Sequence, residues 1–263
     1  MRTIAIINQK GGVGKTTVAA NLAHGLALLG KRVTILDLDP QAQLSATLGV
    51  VGHEPGMDEV LLDGASLESK RRKVRENLYL VPANMRLAEI ERIQDKKLSH
   101  GQRLKKALEG QLDDQDIVLF DCPPSSGLIV INALFATGEV LIPMLGEYLS
   151  LQGLSHLMGT IKNFEASLNH ELKQWIVVNR FQRRRRLAND VLNKLMEYFP
   201  ESVLATPIRD ATALAESPGF GQTIFEYQPR SACANDFSIL ATDLVEERVM
   251  TKDSPYLSNQ EEA

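Results

Sequence analysis

The sequence is poor in cysteine and in aromatic residues, and it contains no long apolar run. Its two cysteines, Cys122 and Cys233, are too few and too far apart for a metal knuckle, and nothing supports a disulfide between them. No stretch reaches the roughly 18 apolar residues that a membrane-spanning helix needs. The short apolar run near the N-terminus leads directly into glycines and lacks a signal-peptide cleavage site. These absences predict a protein of the reducing cytoplasm with no stable membrane association.

An excess of positive charge is absent as well. The formal net charge is -4, which argues against a protein that coats nucleic acid or anionic membrane with its whole surface. Any such binding must therefore be local. Hydrophobic residues make up 44% of the 263 positions, enough to bury a full-sized core. Chains of this length with an α/β pattern routinely form a single domain.

Short β-rich runs alternate with longer segments of helical period along the chain. This alternation predicts a single doubly wound, mainly parallel sheet flanked by helices. In the first predicted helix Val18, Leu22, Leu26 and Leu29 share one face, and a long helix from about Ser150 repeats apolar residues every three or four positions. The predicted strands are residues 3–7, 33–36, 78–81, 117–120, 140–142, 175–178 and 203–206.

The domain boundary is predicted from a change in composition near the C-terminus. From Glu246 the sequence turns polar and acidic, and it contains a proline. Such a segment buries too little apolar surface to order itself. We therefore expect one folded domain over residues 1–250 and a disordered acidic tail over residues 251–263.

A glycine-rich segment, KGGVGKTT, follows the first predicted strand and opens the first helix. Glycines let consecutive backbone N–H groups converge on phosphate oxygens, and the positive end of the helix points to the same place. The general phosphate-loop pattern has glycine where Gln9 stands, so the loop is a variant. Lys15 is expected to reach the β and γ phosphates, and the Thr16 hydroxyl to bind magnesium. The predicted nucleotide-binding loop comprises Lys10, Gly11, Gly12, Val13, Gly14, Lys15, Thr16 and Thr17.

KGGVGKTT, with its second lysine at Lys10, resembles the deviant Walker A loop of the ParA/MinD ATPases, and the likeness covers nearly the whole chain. The resemblance implies a P-loop NTPase fold with ATP and Mg2+ as cofactors. It also implies an ATP-dependent homodimer in which Lys10 acts in trans on the partner's nucleotide. A second cation over developing phosphate charge stabilises the transition state. The alternative for Lys10 is an exposed, solvated lysine.

Two further segments resemble motifs of that family. DLDPQAQLS is similar to its switch segment, which makes Asp39 the carboxylate that orients the attacking water or binds a metal-bound water. Asp37 is a weaker candidate, as a structural partner of the phosphate loop. A run of four apolar residues before Asp121 looks like a Walker B strand, so Asp121 is expected to hold magnesium through a water. Cys122, beside it, is interpreted as core.

The base pocket is predicted from two strand ends. WIVVNRF resembles the strand from which many relatives offer an asparagine to adenine, so Asn179 is a candidate for base recognition. A buried strand-end cap is the alternative. The segment from Thr206 resembles the family's loop after the last strand, whose proline region, here Pro207, closes over the base. Only Arg209 is basic across this loop and its short helix.

Positive charge is concentrated before the helical segment LANDVLNKLMEYF. Arginines at a helix start oppose its dipole unless a polyanion neutralises them. Four such contacts to DNA predict an affinity loss of roughly a hundredfold between about 50 and 200 mM salt, with no sequence preference. A solvated charge run is the alternative, and it is preferred for the KRRK run at residues 70–73 as a helix face. The predicted DNA-binding residues are Arg180, Arg183, Arg184, Arg185 and Arg186.

The resemblance implies an ATPase of weak intrinsic activity that binds nucleoid DNA as a dimer and releases it when an adaptor protein stimulates hydrolysis. The cargo of such a switch is a plasmid, a chromosome region or a protein body such as a carboxysome. One alternative is a MinD-like membrane switch, which the acidic end QEEA disfavours. The other is a metabolic or metal-cluster ATPase on the same scaffold, but Cys122 and Cys233 do not reproduce the placement of paired cluster ligands.

Overall fold

The computed structural model describes residues 1–51, 55–93, 98–168 and 170–257. Seven strands form one sheet in the order β3-β4-β2-β5-β1-β6-β7, and β3 alone runs antiparallel to its neighbour. This confirms the predicted doubly wound, mainly parallel sheet. The strands are β1 (Arg2–Ile6), β2 (Val33–Asp37), β3 (Arg72–Arg75), β4 (Leu78–Val81), β5 (Ile117–Asp121), β6 (Glu139–Leu145) and β7 (Lys173–Asn179).

Helices cover both faces of the sheet. Short 3-10 turns at Met85–Arg92 and Ser217–Phe220 and a π-helical turn at Glu59–Asp63 complete the regular structure of the described ranges. The α-helices are α1 (Lys15–Leu28), α2 (Gln43–Thr47), α3 (Leu67–Lys70), α4 (Leu98–Gly101), α5 (Arg103–Leu108), α6 (Leu128–Ala136), α7 (Tyr148–Leu168), α8 (Arg186–Tyr198), α9 (Ala213–Glu216), α10 (Ile224–Tyr227) and α11 (Ala232–Glu246).

The core consists of two apolar layers, one on each face of the sheet. Strands β2, β5 and β6 are buried along their whole length, as parallel strands between two helical layers must be. On one face α1 packs against α11, with Val18, Leu22 and Leu26 fully buried. Leu29, predicted to share that stripe, lies beyond the end of α1 and is 44% exposed.

Two of the predicted elements differ from the structure. Residues 203–206 were expected to form a strand, but they make only isolated bridges, Val203 to Ile176 and Leu204 to Val249. Pro207 follows immediately and has no N–H with which to extend a ladder. The KRRK run was interpreted as one helix face, but α3 ends at Lys70 and the run continues into β3 at the edge of the sheet. Charged side chains on an edge strand oppose its pairing with other chains.

The last residues that the structure describes contact the core. Tyr256 and Leu257 are partly buried against the apolar layer that contains α8. Residues 258–263 of the predicted tail lie outside the described residues. The disordered tail and the boundary at residue 250 therefore stay predictions.

Candidate functional site

The carboxyl ends of the parallel strands meet at one edge of the sheet, where ligands bind in folds of this kind. The phosphate loop lies there, between β1 and α1. Gly12 (φ +75°) and Gly14 (φ +87°) adopt left-handed backbone conformations that glycine takes without steric cost. A Cβ at residue 14 would also lie 2.3 Å from the Asn179 amide nitrogen. The loop is thus an open, glycine-dependent curve that ends at the N-terminus of α1, the geometry of an anion site.

Lys15, the first residue of α1, is buried within this site with only 7% of its surface exposed. Burial lowers the pKa of its ammonium group, and the nearby carboxylates of Asp121 and Asp39 oppose that fall. A buried ammonium gains most from a ligand that replaces its lost hydration with negative charge. A phosphate supplies that charge.

Asp121, at the end of β5, is fully buried, and neither of its carboxylate oxygens has a hydrogen-bond partner among the residues that the structure describes. Burial and the neighbouring charge of Asp37 raise the pKa of Asp121 well above its usual range, while the Thr16 hydroxyl and Lys15 oppose the rise. A buried carboxylate without a partner is an unusual and costly feature. The set of Asp121 and Thr16 oxygens beside a phosphate loop fits Mg2+, which keeps several of its own waters.

Asp37 and Asp39 begin the switch segment. The Oδ2 atom of Asp37 accepts hydrogen bonds from the backbone N–H (2.9 Å) and the hydroxyl (2.7 Å) of Ser45. Burial raises the pKa of Asp37 to about 6. Its hydrogen bonds thus anchor the switch segment to α2, which differs from the predicted role as a partner of the phosphate loop. Asp39 is half-buried, and its Oδ1 accepts the backbone N–H of Gln41 at 2.9 Å.

Lys10 points out of the site. Its ammonium lies 3.2 Å from the Glu147 carboxylate of the same chain, and the two side chains are 43% and 47% exposed. The backbone N–H of Lys10 donates to Asn8 Oδ1 at 2.9 Å, and the Asn8 amide donates to the Pro143 carbonyl at 2.7 Å. The loop therefore carries one buried lysine, Lys15, and one exposed lysine, Lys10.

A cleft of about 510 Å³ continues from the phosphate loop. It is lined on one side by Gly12, Gly14 and Asn179 and on the other by residues 210–215. The buried Asn179 amide donates to the Val13 carbonyl at 2.8 Å, and its oxygen accepts the Arg180 N–H at 3.0 Å. The strand-end cap predicted as the alternative is therefore present, and the second amide hydrogen remains for a ligand.

Pro207 is buried. The N–H of the following residue, Ile208, donates to the Val178 carbonyl of β7 at 2.8 Å. This bond fixes the chain just before residues 210–215. Gly12, Gly14, Thr17 and Asn179 of the predicted site thus line this cleft, whereas Pro207 is not among its lining residues and its contact with the base stays a prediction.

The predicted arginine cluster divides into two parts. We call residues 180–186 the basic loop. Arg180 pairs with Asp210 at 3.3 Å and lines the main cleft. The remaining four arginines are exposed and have no ion-pair partner among the residues described by the structure. They are Arg183, Arg184, Arg185 and Arg186.

Arg209 and most of the KRRK run, by contrast, are paired with acidic side chains. Arg209 donates two hydrogen bonds, of 2.6 and 2.8 Å, to the buried Asp236 carboxylate. In the KRRK run, acidic partners lie beside three of the cations. The pairs are Lys70 with Glu59, Arg71 with Glu68 and Asp114, and Lys73 with Glu76. This pairing agrees with the interpretation of the KRRK run as a solvated charge run and not as a DNA-binding patch.

Sequence reasoning missed Glu147 and Asp210. Each contacts a predicted site residue from a distant part of the chain, 137 residues away in the case of Lys10 and Glu147. Glu147 stands in no motif, and the segment from Thr206, which contains Asp210, gives no signal for a contact with Arg180. None of the helices in the described ranges is both long and apolar enough to cross a membrane. Across the same ranges no three His, Cys, Asp or Glu side chains are grouped to hold a metal by themselves.

This arrangement defines the class of P-loop nucleotide-binding proteins, and comparison with known proteins gives the family. The model of a family described as an AAA domain matches residues 1–174. The chain is 38% identical over 247 residues to the sporulation initiation inhibitor protein Soj of Bacillus subtilis, covering 92% of this chain and 98% of that protein. It is 39% identical over 248 residues to the chromosome-partitioning ATPase Soj of Thermus thermophilus, covering 93% and 96%. The chain belongs to the ParA/MinD family of ATPases.

A solved structure supports the same assignment of the fold. Cobyrinic acid a,c-diamide synthase from Mycobacterium smegmatis, crystallised with an ATP analogue and magnesium, superposes with a TM-score of 0.82 at 29% identity. The match covers 96% of this chain and 100% of that one.

Proposed function

We propose that this chain is an ATPase that dimerises with ATP, binds DNA without sequence preference in that state, and partitions or positions a cellular cargo. One observation carries the proposal: the phosphate loop has two lysines in different environments, Lys15 buried in the site and Lys10 exposed at the surface. The likeness to Soj proteins over more than nine-tenths of the chain supports the partitioning role.

ATP and Mg2+ are the cofactors that the site residues fit. ATP supplies the phosphoanhydride bond, and the metal neutralises charge on its oxygens when bound. Lys15 binds the β and γ phosphates, and Asp121 and Thr16 hold the metal. Asp39 also faces the metal and orients the attacking water, because its backbone is fixed by Asp37 while its carboxylate stays half-buried.

Lys10 links ATP hydrolysis to dimer formation in this proposal. Its exposed ion pair with Glu147 is weak, so the ammonium is available to a second copy of the chain. Placed on the partner's phosphates, it stabilises the charge that develops during hydrolysis. Intrinsic turnover is slow without further stimulation, which an adaptor protein and DNA provide. The rate of ATP hydrolysis then sets the lifetime of the dimer.

DNA binding is assigned to the basic loop. Arg183 to Arg186 have no carboxylate to neutralise them in the described part of the chain, in contrast to Arg209 and the KRRK run. Arginine contacts to phosphate carry no sequence information. The protein is therefore proposed to be cytoplasmic and nucleoid-associated.

A metabolic role on the same scaffold is the competing proposal, because cobyrinic acid a,c-diamide synthase shares the fold at 29% identity. The Soj proteins match at 38% and 39%, which favours partitioning. The absence of any three grouped metal-binding side chains in the described ranges gives a metal-cluster enzyme no support. Pelleting with anionic liposomes and ATP distinguishes the membrane alternative.

The test is DNA affinity in the two nucleotide states. Fluorescence anisotropy with a labelled duplex of arbitrary sequence should show at least about tenfold tighter binding with Mg2+ and a non-hydrolysable ATP analogue than with Mg2+ and ADP. With ATP itself, Asp39→Ala should stay on DNA while the wild type dissociates as it hydrolyses. Lys15→Ala, which loses the phosphate contact, is the control without nucleotide binding. Equal affinity of the wild type with ADP and the ATP analogue would contradict the proposal.

A further inference from the structure

The ion pair of Arg180 and Asp210 lies where two clefts meet. Both residues line the main cleft beside Gly14. Both also line a second cleft, of about 80 Å³, together with Glu147 and Arg185. The pair is therefore the wall between the nucleotide cleft and the exposed arginines of the basic loop.

The backbone joins the same two regions through Asn179. Its amide holds the phosphate loop at the Val13 carbonyl, and its oxygen holds the N–H of Arg180. Arg180 has φ +52°, a left-handed conformation that residues other than glycine seldom adopt. Such a conformation persists only where surrounding contacts hold it. A change in those contacts therefore changes the direction in which the basic loop leaves β7.

Asp210 provides most of these contacts. One carboxylate oxygen faces Arg180 Nε at 3.3 Å, and the other accepts the Gln182 side-chain amide at 3.0 Å. The Asp210 N–H points to the Phe181 carbonyl at 3.4 Å. Asp210, which lines the nucleotide cleft, thus contacts three consecutive residues of the basic loop.

The contacts are weak enough to change. The side chains of Arg180 and Asp210 are 58% and 36% exposed, so water screens their attraction. Phe181, between Arg180 and Gln182, is buried, and its N–H donates to the Ile208 carbonyl at 2.8 Å. Phe181 therefore holds the loop in place at one point. The contacts of Asp210 with Arg180 and Gln182, which we call the clamp, are weak enough to open.

We propose that Asp210 is a positioning residue through which a nucleotide in the cleft sets the conformation of the basic loop. The inference rests on the proposed function and names the link between its two sites. A nucleotide beside Gly14 contacts the wall formed by residues 210–215. This contact shifts the equilibrium between two arrangements, one in which Asp210 holds Arg180 and Gln182 and one in which it releases them. Coupling of two sites requires two such arrangements with different contacts. The released arrangement frees Arg180 and Gln182 and redirects Arg183 to Arg186.

The experiment compares Asp210→Asn with Asp190→Asn in the full chain. Asp190 lies on α8 four residues after Arg186 and lines neither cleft, so its variant removes the same charge near the same arginines. The readout is the ratio of the DNA dissociation constants with ADP and with a non-hydrolysable ATP analogue, each at saturating nucleotide with Mg2+. Gln182→Ala removes the second contact of the clamp without a change of charge.

Asp210→Asn and Gln182→Ala are expected to lower this ratio about three- to tenfold, a range set by typical coupling between sites. Asp190→Asn should tighten DNA binding equally in both states and leave the ratio unchanged. An Asp210→Asn protein with the wild-type ratio overturns the inference while the proposed function stands. Loss of nucleotide binding in that variant also overturns it, since Asp210 would then be a ligand contact. A wild-type ratio of one overturns both.

Discussion

At the scale of residues, the site contains more buried negative charge than its own cations balance. Asp37 and Asp121 are fully buried, Asp39 is nearby, and Lys15 is the ammonium among them. Burial of charge is costly unless it is paired. Burial and the neighbouring charge of Asp37 raise the pKa of Asp121, and a divalent cation held by this carboxylate would offset the cost. The same groups that raise the pKa of Asp121 therefore prepare the site for a divalent cation.

The phosphate loop depends on glycine for two separable reasons, which two variants distinguish. Gly12→Ala meets no atom within 4 Å and has only the left-handed backbone to overcome, at a cost of about 1 kcal/mol. Gly14→Ala has that cost and also a clash with the buried Asn179 amide, whose displacement breaks the bond to Val13. We expect a loss of at least ~2 kcal/mol and of nucleotide affinity. Denaturant unfolding measures both variants, and equal losses would contradict the role of Asn179.

At the scale of elements, α1 is joined to α10 by a buried polar contact. His24 Nδ1 lies 2.6 Å from the Thr223 hydroxyl, and the Asn21 side-chain oxygen accepts the Ile224 N–H at 2.7 Å. Phe225 meets the His24 ring edge-on at 5.4 Å between centroids. This contact holds the C-terminal layer of helices on the helix that begins at the phosphate loop.

His24 predicts an acid-sensitive stability. Burial lowers its pKa in the folded state, an effect that Glu226 opposes and Arg75 adds to. The unfolded chain, with histidine near its ordinary pKa of about 6.5, therefore binds more protons as the pH falls. The contribution of neutral His24 to the free energy of unfolding is fully present above that pH and is lost progressively as the pH falls below it. Thermal unfolding at pH 7 and pH 5 should show a smaller difference for His24→Gln than for the wild type. His156→Gln, at an exposed position on α7, should leave the difference unchanged.

The basic loop at the start of α8 predicts a change in salt dependence. Replacing Arg184 and Arg185 with alanine removes two cations that lack acidic partners among the described residues. The slope of log affinity for DNA against log salt should fall by about 1.8, from roughly 0.9 per phosphate contact. Replacing Lys105 and Lys106, two exposed lysines of α5, removes the same charge elsewhere. An equal change of slope in both double variants would indicate a general charge effect and contradict a local DNA site.

Elements with a strong local pattern could be predicted from the sequence, and those set by distant contacts could not. Six predicted strands lie in the sheet because apolar runs between helices require burial on both faces. β3 is rich in charge and forms only because β4 offers an unpaired edge. At the site, the roles of the phosphate loop and Asp121 follow from motifs, whereas the contacts that Ser45, Glu147 and Asp210 make are set by tertiary packing. Pattern thus identifies the groups that bind a ligand, and the fold identifies the groups that position them.

At the scale of the whole molecule, the proposed dimer, in which Lys10 acts on the partner's nucleotide, requires the ion pair of Lys10 and Glu147 to break in each copy. The pair is exposed on both sides, so its loss costs at most about 1 kcal/mol. A cost of this size is small beside typical nucleotide binding free energies, so the ion pair would weaken the proposed dimer without preventing it. Removal of the acidic partner should favour association, provided that Lys10 acts on the neighbouring copy.

Glu147→Gln should lower the dimer dissociation constant by up to about thirtyfold with Mg2+ and a non-hydrolysable ATP analogue, since each of the two copies recovers at most about 1 kcal/mol. Sedimentation or light scattering follows the change from the 29.1 kDa protomer to twice that mass. Glu201→Gln, at an exposed position elsewhere, is the matched control. In a Lys10→Ala background the Glu147 effect should vanish, because the two residues act through one interaction. A wild type that stays at the protomer mass when saturated with the analogue, or a Glu147 effect that persists without Lys10, would exclude a lysine in trans.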